Sequence, residues 1–215
     1  MRAYSIKATV TIVALFLLAS TGFSQYIGYQ PVADLSAFKT KYIAESAKIQ
    51  SISSDFTQNK SMAAITGMVT SKGKFWFQRS NKLRMEYTTP NSYVMVMDGD
   101  KVNIRENGKD NKMNAGASKL FKEINRVVLD CIQGTILDSK DFSSKVFEND
   151  KSYLLELTPT NKAFKEFFKN IVLVVEKTDF TARSITMNEP SGDNTVMTFT
   201  SKKLNQALDA SLFKI

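Results

Sequence analysis

The apolar residues of the chain follow a helical period in two stretches. Over about residues 33–50 they share one face of a helix, and the charged residues fall mostly elsewhere. The positions of this stripe are Leu35, Phe38, Tyr42 and Ile49, with the small Ser46 in the gap. Over about residues 116–133 a second stripe is formed by Leu120, Ile124, Val127 or Val128, and Cys131. Gly134 follows as a stop, so the sequence predicts two main helices.

From Ile52 onward, outside the second helix, the hydrophobic period changes to two. Short segments rich in aromatic and β-branched residues alternate with turn residues, which is typical of antiparallel strands. The predicted strands cover residues 52–60, 63–70, 73–79, 82–88, 93–97, 101–106, 142–148, 152–158, 171–176, 181–189 and 195–200. Asp98-Gly99-Asp100 and Asn107-Gly108 predict tight turns between strands. Residues 162–169 are compatible with one or two helical turns.

This order of elements predicts an α+β fold with one large antiparallel sheet of about eleven strands. A sheet of that width must curl, either into a barrel or into an open half-barrel. The two helices are then the natural cover for its concave face. Since no repeat or Pro/Gly-rich linker interrupts residues 25–215, we expect them to form a single domain.

Several predicted strands carry apolar residues that would face the covering helices. Leu83, Met85 and Tyr87 alternate with charged residues, and Met95 lies on the apolar side of the next strand. Each of these residues alone is compatible with ordinary core filling. Together they combine aromatic rings with methionines, which adapt to irregular apolar partners.

Arg79 shares a predicted strand face with Phe75 and Phe77. A guanidinium beside two Phe rings is costly unless polar groups pair with it. Arg79 is therefore either a latch, by which we mean a side chain that hydrogen-bonds backbone carbonyls of a covering helix, or a surface residue at a strand end.

The first 24 residues have the pattern of a secretory signal peptide. Arg2 and Lys7 precede an apolar run, ATVTIVALFLL, that is too short to cross a bilayer as a helix. Gly22 and Ser24 suit a cleavage site before Gln25. An uncleaved membrane anchor is the alternative. No Cys follows the run, which disfavours a lipid-modified N-terminus. We expect the mature protein to be exported.

The amino-acid composition excludes several kinds of catalytic and metal-binding site. The chain has no His and one Cys, which excludes His-dependent catalytic triads, internal disulfides and nearly all zinc sites. Cys131 lies on the apolar stripe, so we expect a buried, inert thiol. The acidic residues show no spacing that requires chemistry; candidates are Glu86, Asp98, Asp100 and Glu123. We therefore expect neither an enzyme nor a cofactor or metal.

The net charge of +8 falls to about +6 once Arg2 and Lys7 are removed with the signal peptide. The basic residues are scattered rather than gathered in a stripe, which disfavours nucleic-acid binding. Weak attraction to an anionic membrane surface, or to an acidic patch on a partner, fits this charge better.

Several motifs at fixed spacings resemble one family. Ser54-Asp55-Phe56-Thr57-Gln58 resembles its F-x-Q segment, and Gly73-Lys74-Phe75-Trp76-Phe77-Gln78-Arg79 resembles its G-x-hydrophobic-W-hydrophobic-x-R strand. The match continues through Asn81, Leu83, Tyr87 and Pro90 to Asp98-Gly99, and the ending is similar at Asn205, Leu208-Asp209 and Leu212-Phe213. Ser80 departs from the family's usual Pro. These motifs are similar to those of the LolA-type periplasmic lipoprotein carriers, most sharply over residues 54–99.

The resemblance implies an open, unclosed antiparallel β-barrel with helices as a lid over a hydrophobic cavity. It implies a carrier that takes the acyl chains of lipoproteins from an inner-membrane ABC transporter to an outer-membrane acceptor, with transient proximity to membranes. We expect a monomer. Arg79 matches the family's lid-latching Arg, and Leu83 matches an apolar position near the cavity mouth. The alternative is a carrier or sensor of another envelope lipid or glycolipid on the same half-barrel.

From strand alternation, the helical stripe and this resemblance together, we define a set of candidate ligand-binding residues. They are Phe56, Phe75, Phe77, Arg79, Leu83, Met85, Tyr87, Met95, Leu120 and Ile124.

Overall fold

The computed structural model of the chain describes residues 25–64, 67–99, 101–111 and 115–215, without the side chains of residue 111 and residues 115–123. The predicted signal peptide, residues 1–24, lies outside these residues, as does Asp100. Within them, no helix has the length and apolar character needed to cross a membrane.

Twelve strands and three α-helices make up this part of the chain. The helices are α1 (Leu35–Ala47), α2 (Ala115–Gln133) and α3 (Lys162–Lys165), with short 3₁₀ turns at Ile136–Asp138 and Ala210–Phe213. The strands are β1 (Gln30–Pro31), β2 (Ser51–Ser61), β3 (Met68–Gln78), β4 (Lys82–Thr89), β5 (Tyr93–Asp98), β6 (Lys101–Glu106), β7 (Lys109–Asn111), β8 (Phe142–Glu148), β9 (Ser152–Pro159), β10 (Asn170–Glu176), β11 (Ala182–Asn188) and β12 (Asn194–Leu204).

All strands belong to one antiparallel sheet with the order β1-β8-β9-β10-β11-β12-β2-β3-β4-β5-β6-β7. The ends of this order are β1 and β7, which are two and three residues long. The sheet is open, so the predicted unclosed antiparallel barrel is confirmed.

The strand count required one correction. The predicted strands 63–70 and 73–79 are one strand, β3, because Ser71 and Lys72 stay paired with Gln58 and Thr57 of β2 instead of forming a turn. The irregularity at this point is a register shift toward β4 between Lys72 and Gly73. The short edge strands β1 and β7 were not predicted, since two or three residues are too few to show a period.

Local chemistry explains where the helices and hairpins begin. The carboxylate of Asp34 accepts a hydrogen bond from the backbone N–H of Ala37 at 2.9 Å and starts α1. Asn161 caps α3 in the same way through the N–H of Phe164. Between β6 and β7, Asn107 and Gly108 both have positive φ, +49° and +79°, as a two-residue type I′ hairpin requires.

Both main helices pack on one face of the sheet and bury there most of the described residues of their apolar stripes. Phe38 and Tyr42 of α1 join Val127 and Cys131 of α2 in a core with residues of β8–β11. Ile49, which follows α1, and further residues of α2 pack in a second core over β2–β6. Leu35 was expected in the stripe of α1, but 47% of it is exposed, because it lies in the first turn beyond the edge of this core.

The opposite face of the sheet is covered by the two ends of the described chain. Tyr26 and Tyr29 pack over Phe147, Leu154 and Val172. The 3₁₀ turn near the C-terminus buries Phe213, and the carbonyl of Leu212 accepts a hydrogen bond from Arg84 of β4 at 3.0 Å. The face toward α1 and α2 is therefore the one on which a cavity can open.

Candidate functional site

A cavity of about 230 Å³ lies between α2, α3 and the sheet. Its wall is formed by alternate residues of the central strands and by one side of α2. The sheet contributes Gln58, Leu83, Met85, Tyr87, Tyr93, Met95, Ile171, Leu173, Ile185, Met187 and Met197. The helices contribute Ile124, Asn125, Val127, Val128, Cys131 and Phe164, and Phe168 lies between α3 and β10. The wall is almost wholly apolar, and four of its residues are methionines.

A smaller cavity of about 80 Å³ adjoins the first toward α1. The two share six wall residues: Met85, Val128, Cys131, Leu173, Ile185 and Met197. The smaller one is polar at one corner, where the Lys202 ammonium donates to Thr181 Oγ1 at 2.6 Å and pairs with Asp179 at 3.3 Å. The shared wall makes the two spaces compartments of one region under the helices.

Six of the ten candidate residues line these compartments. Leu83, Met85, Tyr87, Met95 and Ile124 line the larger one, and Phe75 and Met85 line the smaller one. The strand pairs Phe75–Met85 and Met85–Met95 place three of them in one row across β3, β4 and β5. The alternation along these strands was therefore a sound guide to the cavity side of the sheet.

Three candidates lie elsewhere, and one cannot be placed. Phe77 is fully buried in the core of β2–β6 and does not reach either compartment. Phe56 is also buried and packs edge-to-face on Tyr87, with ring centroids 4.9 Å apart. Arg79 follows the end of β3 outside both walls. Leu120 belongs to α2, but its side chain lies outside the described residues.

Arg79 joins the β3–β4 connection to the end of α1. Its Nη2 donates to the carbonyl of Ser46 at 2.7 Å, and its Nε donates to the carbonyl of Ile49 at 2.9 Å. The last carbonyls of a helix have no partner within the helix and carry partial negative charge, so a guanidinium is well suited to them. Of the two alternatives for Arg79, this geometry is that of the latch.

The departure at Ser80 has a backbone consequence. Ser80 has φ of +84° and Asn81 has φ of +61° in the turn between β3 and β4. Proline fixes φ near −65°, so the family's usual residue cannot occupy this turn as it stands. The turn is therefore built differently, while Arg79 still bonds to α1.

Sequence reasoning missed the part of the cavity wall that β10, β11 and β12 form. Five residues lie there: Ile171, Leu173, Ile185, Met187 and Met197. These strands also show a period of two, but the family motifs lie mainly in β2–β5, and the candidate strand residues come from there. Alternation separates two faces without telling which of them faces α2.

Few polar groups reach the walls. The Tyr87 hydroxyl donates to Gln58 Oε1 at 2.9 Å, and burial, with a smaller contribution from neighbouring Tyr93, raises the pKa of Tyr87 to about 12. Burial, helped by the Asp130 carboxylate, raises the pKa of the Cys131 thiol to about 12. The thiol is thus neutral and buried. Among the described residues, no group of three or more His, Cys, Asp or Glu is placed to hold a metal ion.

Comparison with known proteins adds two kinds of finding. The family model for the outer membrane lipoprotein carrier protein LolA matches residues 47–215. No curated protein sequence matches the chain significantly. Among solved structures, a Pseudomonas aeruginosa MucA/MucB complex is similar with a TM-score of 0.52 and 12% identity, over 83% of this chain and 60% of that one.

Other solved structures are similar at lower TM-scores. A LolA superfamily protein from Nitrosomonas europaea has a TM-score of 0.41 and 11% identity, over 81% of this chain and 96% of that one. The lipoprotein LppX of Mycobacterium tuberculosis has a TM-score of 0.42 and 8% identity, over 80% of this chain and 96% of that one.

Proposed function

Since the chain belongs to the LolA family of outer membrane lipoprotein carrier proteins, we propose that it carries lipoproteins across the periplasm. The acyl chains of the lipoprotein enter the cavity beneath α1 and α2, and the protein part stays outside. The inner-membrane ABC transporter complex supplies the cargo, and an outer-membrane acceptor receives it.

The observation that carries the proposal is the apolar cavity with its methionine-rich wall. Each acyl CH₂ that leaves water gains about 0.8 kcal/mol, so an acylated protein does not stay free in solution without a cover. A wall of Met and aromatic side chains can follow the changing shape of flexible acyl chains. No reaction is assigned to this cavity.

The size of the cavity supports a lid that moves. The larger compartment, about 230 Å³, is below the 300–1,000 Å³ that is typical of sites for drug-sized ligands. Several acyl chains therefore need additional space, and this space is gained when α1 and α2 move away from the sheet. In this proposal the hydrogen bonds from Arg79 to Ser46 and Ile49 hold the closed form.

The experiment that tests the proposal is mass spectrometry of the material that copurifies with the mature protein from its native envelope. We expect acylated lipoprotein in the wild-type sample. A variant with a charge in the cavity wall, Met85→Glu, should lose it, whereas Lys74→Glu, on an exposed position of β3, should retain it.

Different results lead to different conclusions. A free glycolipid in place of acylated lipoprotein indicates the alternative cargo. A wild-type protein that copurifies with no lipid, and that does not take up a purified acylated lipoprotein, contradicts the proposal. Release of fatty acid from lipid esters by the purified protein would show that catalysis had been missed.

A further inference from the structure

One polar side chain in the wall of the larger cavity has a donor without a partner. Asn125, on the inner side of α2, is only 2% exposed. Its amide nitrogen Nδ2 is buried and makes no hydrogen bond. Leaving a buried amide unpaired is costly compared with an apolar residue of the same size, so this Asn calls for an explanation.

The surroundings of Asn125 narrow the kind of partner that it fits. The described residues that line the larger cavity include no charged side chain. The only other amide in the wall is that of Gln58, whose Oε1 already accepts from Tyr87. The amide nitrogens of Gln58 and Asn125 therefore offer N–H donors, and with no charged side chain in the described wall they suit a neutral acceptor better than a carboxylate or a phosphate.

We propose that Asn125 is a polar anchor whose amide N–H donates to the carbonyl oxygen of the ester or amide that joins an acyl chain to the cargo. This inference rests on the proposed function, since it needs an acyl chain in the cavity. The carbonyl is the neutral acceptor that every acyl chain carries at its head. Its hydrogen bond to Asn125 would fix how deep each chain enters.

The test compares two probes of matched length, methyl laurate and tetradecane, which differ in the presence of an ester. Each displaces a fluorescent hydrophobic dye from the purified protein, and the ratio of the two affinities measures the preference for the ester. We expect wild type to prefer the ester, and Asn125→Leu to reduce that preference by about 2- to 12-fold, the equilibrium equivalent of one net hydrogen bond.

A neighbouring apolar position provides the control. Val128 lies on the same side of α2 and lines both compartments. Val128→Ala should weaken both probes equally and leave the ratio unchanged. Asn125→Leu should also raise the melting temperature by about 2–4 °C, because it removes an unpaired buried amide. If Leu does not fit the site, Asn125→Ala replaces it in the same assay.

Each result decides the inference. An ester preference that survives in both Asn125 variants overturns it, and so does a wild type that binds the two probes equally; the proposed function stands in both cases. If the wild-type protein binds neither probe, the result contradicts both the proposed function and the inference. A melting temperature that falls in Asn125→Leu, with the preference unchanged, shows that an internal partner satisfies the amide.

Discussion

Arg79 is the residue whose side chain ties the end of β3 to the end of α1. Its two hydrogen bonds end on carbonyls of Ser46 and Ile49, at the C-terminal end of α1. The Ser46 carbonyl also accepts from the backbone N–H of Ile49 at 3.1 Å. Since Phe38 and Tyr42 already pack α1 into the core, the two bonds from Arg79 add to this packing at the end of the helix.

Replacement of Arg79 by Leu should weaken the closed form of the lid. We expect faster loss of a bound acylated lipoprotein and a free energy of unfolding lower by about 1–3 kcal/mol, because two carbonyls lose charged donors. Transfer of a fluorescent lipoprotein to acceptor vesicles measures the first effect, and denaturant unfolding measures the second. Arg183→Leu, at an exposed position of β11, is the control. Wild-type transfer rates in Arg79→Leu would make Arg79 purely structural.

Gly73 makes room for the aromatic pair behind the cavity wall. It lies opposite Phe56 on β2 and Tyr87 on β4. A Cβ at this position would overlap the carbonyl of Glu86 and lie 2.6 Å from Cζ of Phe56. The missing side chain is therefore the space in which the Phe56 ring packs against Tyr87.

Gly73→Ala should destabilise the fold by about 1–3 kcal/mol, since backbone and ring must both shift to admit one methyl group. Urea unfolding followed by circular dichroism measures the change. Lys72→Ala, at the adjacent exposed position, should change stability by less than about 0.5 kcal/mol. Equal stability of the two variants would mean that the backbone and the Phe56 ring can shift at Gly73 without a measurable loss of stability.

Single residues also show what the sequence can and cannot predict about the cavity wall. Met85 and Met95 were placed correctly because strand alternation is strict and their strands pair directly. Phe77 follows the same alternation, yet it fills the core, because the distance between a helix and the sheet decides which inward residues meet a cavity. Nothing in the local sequence records that distance, and the position of Asn125 in the cavity wall was not predicted for the same reason.

Among the elements, α1 and α2 are joined to each other at close range. The Tyr42 hydroxyl of α1 donates to the carbonyl of Cys131 in α2 at 2.5 Å. Gly134, with φ of +74°, ends α2 so near to α1 that a Cβ there would lie 3.0 Å from the carbonyl oxygen of Tyr42. The two helices should therefore open as one body.

Tyr42→Phe should loosen this pair of helices. We expect a loss of about 0.5–1.5 kcal/mol for the hydrogen bond. Cys131 reports the opening, because its buried thiol with a pKa of about 12 is nearly unreactive until the helices separate. Faster alkylation of Cys131 at pH 8 in Tyr42→Phe is the expected result.

The matched control is Tyr29→Phe. Tyr29 hydrogen-bonds Ser152 Oγ at 2.7 Å and packs on the opposite face of the sheet. This variant should lose similar stability without faster alkylation. Alkylation that rises equally in both variants would reflect general unfolding instead of movement of α1 and α2.

The elements themselves were largely predictable. Both helix stripes and most strands appear within a few residues of their predicted ends, because their periods extend over five or more residues. The tight turn at Asn107-Gly108 was predictable from the positive φ that it requires. By contrast, the continuous β3 was missed because two polar residues within a strand look like a turn until their partners on β2 are known.

For the molecule as a whole, buried tyrosine and cysteine side chains should make the free energy of unfolding fall at alkaline pH. Burial raises the pKa of Tyr42 well above 10.0, that of Tyr87 to about 12, and that of Cys131 from 9.0 to about 12. Above pH 9 the folded protein thus holds protons that the unfolded chain has released. Stability is therefore complete below pH 9 and declines as the pH rises toward 12.

The expected decline is up to about 1.4 kcal/mol per pH unit for each group within its window. Urea unfolding at a series of pH values measures it, and Tyr87→Phe should make the slope between pH 10 and 12 shallower. The chain has no His, so stability between pH 6 and 8 should change little. A constant free energy of unfolding up to pH 12 would contradict the burial of these groups.

The open sheet has a consequence for capacity. In a closed barrel, strand number and shear fix the radius, so the girth of the interior is set once the last strand pairs with the first. Here the short strands β1 and β7 end the sheet within the described part of the chain, and no such condition applies. The curvature can relax while every ladder stays paired. Under the proposed function, cargo of different girth would then fit one chain, and selectivity would depend on the surfaces that meet its donor and its acceptor.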